Sequence, residues 1–168
     1  KKAVVIIAQN EFREEELFQP KEIMEKSGIE VQVASASLDI ARGMAGQTFQ
    51  PQLQMKDINV NDFDAVIFVG GAGAIQYWAD PVDHKIAKDT YDSGKVVAAI
   101  CVAPVVLAKA GILNGKRATV WFADSGQLIV AGAKYSRNNV EKDGNIITAS
   151  GPIASGEFGE ELVKAILH

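Results

Sequence analysis

The chain alternates between short, uninterrupted apolar runs and longer stretches in which apolar residues recur every three or four positions. Ala3–Ala8, Ala65–Val69 and Val96–Ile100 are of the first kind, rich in Val and Ile, and predict strands covered on both faces. Glu30–Ser35 alternates apolar and polar residues and predicts a more exposed strand. In Glu14–Ser27 the residues Leu17, Pro20, Ile23, Met24 and Ser27 make one stripe, which predicts a helix ended by Gly28. Asp80 followed by Pro81 predicts a capped helix running to about Ser93, and Asp124–Val130 and Ser155–Leu167 predict two more.

The connections carry turn chemistry. Arg42–Lys56, with Gly43 and Gly46, predicts a hairpin excursion. Ala118–Val120 and Lys134–Tyr135 predict short strands. Val140–Lys142 and Ile146–Ala149 flank Asp143-Gly144, a hairpin turn. Gly151-Pro152 breaks the chain before the last helix. Strands alternating with helices predict a mostly parallel central sheet with helices on both faces, a flavodoxin-like three-layer α/β/α sandwich. No repeat or linker divides it, so residues 1–168 are expected to form one domain.

Composition adds exclusions. The chain is 48% apolar with a net charge of −4, and no basic run exists to neutralise phosphates, so no nucleic-acid partner is expected. No apolar stretch could span a bilayer, and Lys1-Lys2 ahead of Ala3–Ala8 reads as a first strand rather than a leader, so no membrane partner is expected. One cysteine excludes an intrachain disulfide and fits a reducing cytoplasm. With two histidines beside it, no zinc site of ordinary spacing can be built, and neither a metal nor a cofactor is expected.

That cysteine, Cys101, follows Val96–Ile100 directly and precedes Pro104, which fits the first turn of a helix closed by Gly111. Ala99 and Ala103 flank it at −2 and +2, the small-x-nucleophile-x-small pattern of a nucleophile elbow. A helix N-terminus behind the sulfur favours thiolate and predicts a lowered thiol pKa. The competing explanation is a small buried hydrophobe. Gly70 and Gly71 also end a strand, and their N–H groups, with that of Val102, are candidates for an oxyanion hole. A tight turn requiring glycine explains the pair as well. The spacing of Gly70-Gly71-Ala72-Gly73 excludes a dinucleotide fingerprint.

Of the three acids opening the first helix, Glu16 lies at the edge of the inward stripe, beyond the end of the first strand. A carboxyl there is partly desolvated, with a raised pKa suited to proton transfer. First-turn acids answering the helix dipole explain the same residues. His84 and His168 have no local reason to meet the elbow, so a Cys–His acyl-transfer pair lacks a base. Trp121 and Phe122 follow a short strand and are candidate pocket residues, with core packing as the alternative. Arg42 and Arg137 could bind an anionic substrate or simply occupy solvated loops.

Together the strand–Glu16–Pro20 opening, Val66–Gly71, the Ala98–Pro104 elbow and Gly151-Pro152 resemble the ThiJ/PfpI superfamily, which includes the parkinsonism-associated deglycase and PfpI-type intracellular peptidases. The resemblance covers essentially the whole chain. It implies a flavodoxin-like sandwich, a homodimer or larger homo-oligomer, a catalytic pair matching Cys101 and Glu16, and an oxyanion-hole position at Gly70-Gly71. The chain departs from the family at Val102, where the peptidase-like branch has histidine, near Trp121, where the deglycase-like branch has one, and at Val69, commonly proline. The resemblance implies a cofactor-independent glyoxalase or deglycase acting on methylglyoxal or its adducts, with Glu16 as proton shuttle. The alternatives are a noncatalytic redox sensor or stress-protective chaperone in which Cys101 is oxidised to sulfinate, and, behind both, a PfpI-type peptidase.

Overall fold

The computed structural model describes residues 1–168. In chain order the elements are β1 (Lys2–Ile6), β2 (Asn10–Phe12), α1 (Glu14–Lys26), β3 (Glu30–Ser35), β4 (Ala41–Gly43), β5 (Thr48–Phe49) and β6 (Leu53–Gln54). There follow β7 (Ala65–Phe68), α2 (Pro81–Asp92), β8 (Val96–Ile100), α3 (Pro104–Lys109), β9 (Arg117–Ala118) and α4 (Ser125–Val130). The chain closes with β10 (Lys134–Tyr135), β11 (Val140–Asp143), β12 (Ile146–Ala149) and α5 (Ser155–Leu167).

The central sheet has the order β11-β12-β8-β7-β1-β3-β6. Only the β11–β12 hairpin is antiparallel; all other neighbours run parallel. This is the flavodoxin-like arrangement, in which the strand order reverses direction beside β1 and ligands bind past the carboxyl ends of the strands. The apolar runs explain themselves here. Ala3 and Val5 of β1 face the α1–α5 layer with Leu17, Met24 and Phe158, while Val4 and Ile6 face the α2–α3 layer with Ile86 and Leu107. Gly159 lets α5 approach α1 closely, because a Cβ there would meet Ile23 and the Cα of Pro20.

Several expectations need adjustment. Ala118–Val120 does not join the central sheet; its strand is Arg117–Ala118, paired only with β10. The Arg42–Lys56 excursion is a hairpin over β4 and β5, but β2 pairs with β4 from the other side and β6 extends the central sheet beside β3. The segment after Gly71 is wound into 3₁₀ turns over Ala72–Tyr77. The predicted cap of α2 is present, with the Asp80 side chain accepting from the Val82 N–H at 2.8 Å. No helix is long and apolar enough to cross a membrane.

Candidate active site

The carboxyl ends of β1, β7 and β8 converge on Cys101. The chain leaves β8 through a left-handed turn at Cys101, φ +66°, a conformation that side chains other than glycine adopt reluctantly. It is held from both sides: the Cys101 N–H donates to the Ala149 carbonyl at 2.9 Å, and the Trp121 N–H donates to the Cys101 carbonyl at 2.7 Å. Ala99 and Ala103 are buried against their neighbours, and Pro104 opens α3. This is the elbow that the small flanking residues predict.

Glu16 is fully buried beneath it, where the predicted stripe edge places it. Its Oε1 accepts from the Gly70 N–H at 3.0 Å. Its Oε2 is buried without a geometrically complete hydrogen bond, yet the Cys101 thiol is close enough for the two side chains to influence each other as hydrogen-bond partners. Burial pushes the Glu16 carboxyl up to about 7, against the opposing effects of Cys101, the Gly70 N–H and the Arg13 charge. The expectation of a lowered thiol pKa is overturned. Burial first, and then the Glu16 charge and hydrogen bond, push the Cys101 thiol well above its ordinary value. The N–H groups of Val102 and Gly71 act in the opposite direction. The two groups therefore titrate as one unit. When Glu16 holds the proton, its charge no longer adds to burial in raising the thiol, and the backbone donors of Val102 and Gly71 act against burial alone.

The oxyanion-hole candidates divide. Val102 and Gly71 present their N–H groups to the sulfur, whereas the Gly70 N–H is spent on Glu16. Gly70 has a different requirement for lacking a side chain: a Cβ there would lie 2.7 Å from both the Cys101 Cβ and Glu16 Oε1.

Above the sulfur lies a pocket of about 230 Å³, with Arg13, Met44, Gly71, Val102 and Trp121 around Cys101. Trp121 lines it. Phe122 lies outside this pocket, 69% exposed and tilted against Trp121 with 4.9 Å between ring centroids. No histidine lines it, and His84 is turned to the Trp78 carbonyl at 2.7 Å.

Arg13 and Met44 are the residues that sequence reasoning missed. Arg13 precedes α1; its backbone N–H donates to the Gly70 carbonyl at 3.1 Å and its Nε meets Glu15 at 2.6 Å. Its adjacency to the Glu14–Glu16 run is the one local signal that could have found it. Met44 is carried by the β4–β5 turn, which buried Glu14 clamps by accepting from the Ala45 N–H at 2.6 Å and the Gln47 N–H at 3.2 Å.

Fold and site together define a class: flavodoxin-like proteins in which an elbow cysteine is paired with a buried glutamate. The family model described as the DJ-1/PfpI family matches residues 1–165, and the chain belongs to that family. An uncharacterised protein of Methanocaldococcus jannaschii is 42% identical, over 98% of this chain and 82% of its own length. A deglycase of Pyrococcus abyssi is 31% identical, over 97% of this chain and 98% of its own. A glutathione-independent glyoxalase of Caenorhabditis elegans is 27% identical, over 99% and 89%. Among solved structures, a ThiJ/PfpI domain protein from Brachyspira murdochii is 32% identical and superposes with a TM-score of 0.97, over 99% of this chain and 96% of that one.

Proposed function

We propose that the chain is a cofactor-independent enzyme of glyoxalase or deglycase type, acting on methylglyoxal or its adducts through Cys101 and Glu16. The observation that carries this reading is the buried Glu16 carboxyl, with a pKa near neutrality, set against the elbow thiol in a small pocket. Relatives named as deglycase and glyoxalase support it. Glu16 takes the thiol proton as sulfur adds to the aldehyde carbon, and returns it to the new oxyanion, giving a hemithioacetal. The N–H groups of Val102 and Gly71 stabilise the oxyanion while it is charged. The Glu16 carboxylate then moves the proton from C1 to C2, while the hydroxyl proton passes from the C1 oxygen to the C2 oxygen, leaving a lactoyl thioester. Water hydrolyses it to lactate and restores the thiol, so the sum is methylglyoxal plus water to lactate. Each step uses one carboxyl and one sulfur, so the pocket's lack of histidine is no obstacle to it. A PfpI-type peptidase lacks here the histidine that would take the thiol proton and pass it to the leaving amine.

The test is lactate release from methylglyoxal by the wild type, Cys101→Ala and Glu16→Ala. Loss of release in both variants is expected, and release unaffected by both contradicts the assignment.

The same histidine-free pocket favours a second reading, a redox sensor or stress-protective protein in which peroxide takes the thiolate through sulfenate to sulfinate. Arg13 and the two N–H donors suit a fixed negative charge on sulfur. Mass spectrometry after mild peroxide should find two oxygens on Cys101, and a Cys101 that gains none while exposed Met44 does removes this reading.

A homodimer or larger assembly in a reducing cytoplasm belongs to the same proposal. Ile153 is 97% exposed beside Pro152, which lines the Cys101 pocket, and a second copy would cover this apolar side chain. Sedimentation should give a mass of at least two chains, and a monomer at all concentrations contradicts it.

A further inference from the structure

Trp121 has two faces, and only one belongs to the cysteine. Its ring rests on the backbone of Gly151, where a Cβ would come within 3.0 Å of the indole. Pro152, on one side of that glycine, lines the Cys101 pocket. Ser150, on the other side, lines a second depression of about 390 Å³, and Trp121 lines both. The second depression is close to the chemistry, because Ser150 follows Ala149, whose carbonyl holds the Cys101 N–H.

Its lining has a definite character. Ser125, Tyr135 and Ser150 bring hydroxyl groups, Phe122 and Trp121 bring aromatic surface, and Arg137 brings the cation. Thr119, also in the lining, is wholly buried and has a hydroxyl without a hydrogen-bond partner. Arg137 takes part in none of the chain's ion pairs. The nearby carboxylate of Glu141 is already held by Ser136, Asn138 and Arg117. A guanidinium without a carboxylate, surrounded by hydroxyl donors beside an aromatic wall, is matched to an organic anion.

We propose that this depression is a subsite for the carboxylate end of an extended substrate, held by Arg137 while the reactive carbonyl lies at Cys101 on the other side of Trp121. The proposal rests on the enzyme reading above only for the reacting end. It implies that a carbonyl substrate bearing a carboxylate binds more tightly than an uncharged one, with free methylglyoxal still turned over at Cys101. Arg13 is the less suitable anchor for that carboxylate, because its Nε is taken by Glu15.

The probe is the stable thioether S-(2-oxopropyl)-N-acetylcysteine, compared with its carboxamide. Each is titrated calorimetrically into Cys101→Ala, which binds but cannot react. The acid is expected to bind about fivefold more tightly than the amide, a preference weakened by salt, erased by Arg137→Gln and partly kept by Arg137→Lys. Equal binding of acid and amide overturns the subsite. So does a preference that survives Arg137→Gln but is lost in Arg13→Gln, which would place the anion on the cysteine side. A preference that depends on Arg137 in a protein whose wild type releases no lactate upholds the subsite and removes the enzyme reading, so the two failures are distinguishable.

Discussion

Within a few ångströms of Cys101, charge and space are set by residues that do no chemistry themselves. Arg13 lowers the Glu16 pKa through its charge, against the burial that raises it. Removing that charge in Arg13→Gln should raise the Glu16 pKa further and move the acid limb of the pH–rate profile upward by a few tenths of a unit. A limb that moves downward or stays fixed contradicts the placement of Arg13. Gly70 sets the space. A methyl group there collides with the Cys101 Cβ, Glu16 Oε1 and the Ile100 carbonyl together, and two of these belong to fixed backbone or the elbow itself. Gly70→Ala should cost about 1–3 kcal/mol of stability and most of the thiol's pairing with Glu16, read by denaturation and by loss of turnover. Thermal denaturation identical to wild type would show the contact to be looser than described.

At the scale of elements, the site is the meeting of three βα turns, and how well each could be read from sequence differs. The elbow was legible because its requirements are local: an apolar strand, small residues on either side of Cys101, and Pro104 in the next turn. Glu16 was legible because helical periodicity assigns a face, and the inward face of α1 meets the sheet. Arg13 and Met44 were not, because they reach the pocket through pairings distant in sequence, Arg13 to Gly70 and the β4–β5 turn to Glu14. The same limit explains Phe122 and the thiol. Periodicity could not show which of two adjacent aromatics borders the cysteine, and the helix-end argument for Cys101 omitted the burial and the neighbouring carboxyl that oppose it. The Glu14 clamp gives a prediction at this scale. Glu14→Ala removes two charge-assisted hydrogen bonds from the turn carrying Met44, so KM should rise several-fold with kcat little changed, at a stability cost of about 1–3 kcal/mol. A fall in kcat with KM unchanged would show that the turn does more than form a wall.

At the scale of the whole molecule, the two faces of the sheet carry different burdens. The α1–α5 side holds Glu16 for use. On the α2 side, Asp83 is buried with Oδ1 unpartnered, against a void lined by Tyr77, Met55 and Val106. Burial, with a smaller contribution from Asp80, raises its pKa from 3.8 to about 7. The folded chain thus retains a proton between these values that the unfolded chain releases. Stability is highest at the acid end of that window, falls as pH rises through it, and is level above about 7. Asp83→Asn should therefore raise the melting temperature at pH 8, with the gain shrinking toward pH 4. A variant less stable than wild type at pH 8 would show that Asp83 is compensated in a way the fold does not reveal.

The central claim is that Cys101 and Glu16 share one proton and use it in turnover. The most direct measurement is the pH dependence of kcat/KM for methylglyoxal in the wild type and Glu16→Gln, a neutral replacement of nearly the same shape. The wild type should lose activity below an apparent pKa of about 7, where both groups are protonated. Glu16→Gln should be slower by about a hundredfold or more and should lack that limb. Near-wild-type turnover in Glu16→Gln, with the acid limb still at the same pH, would contradict the account.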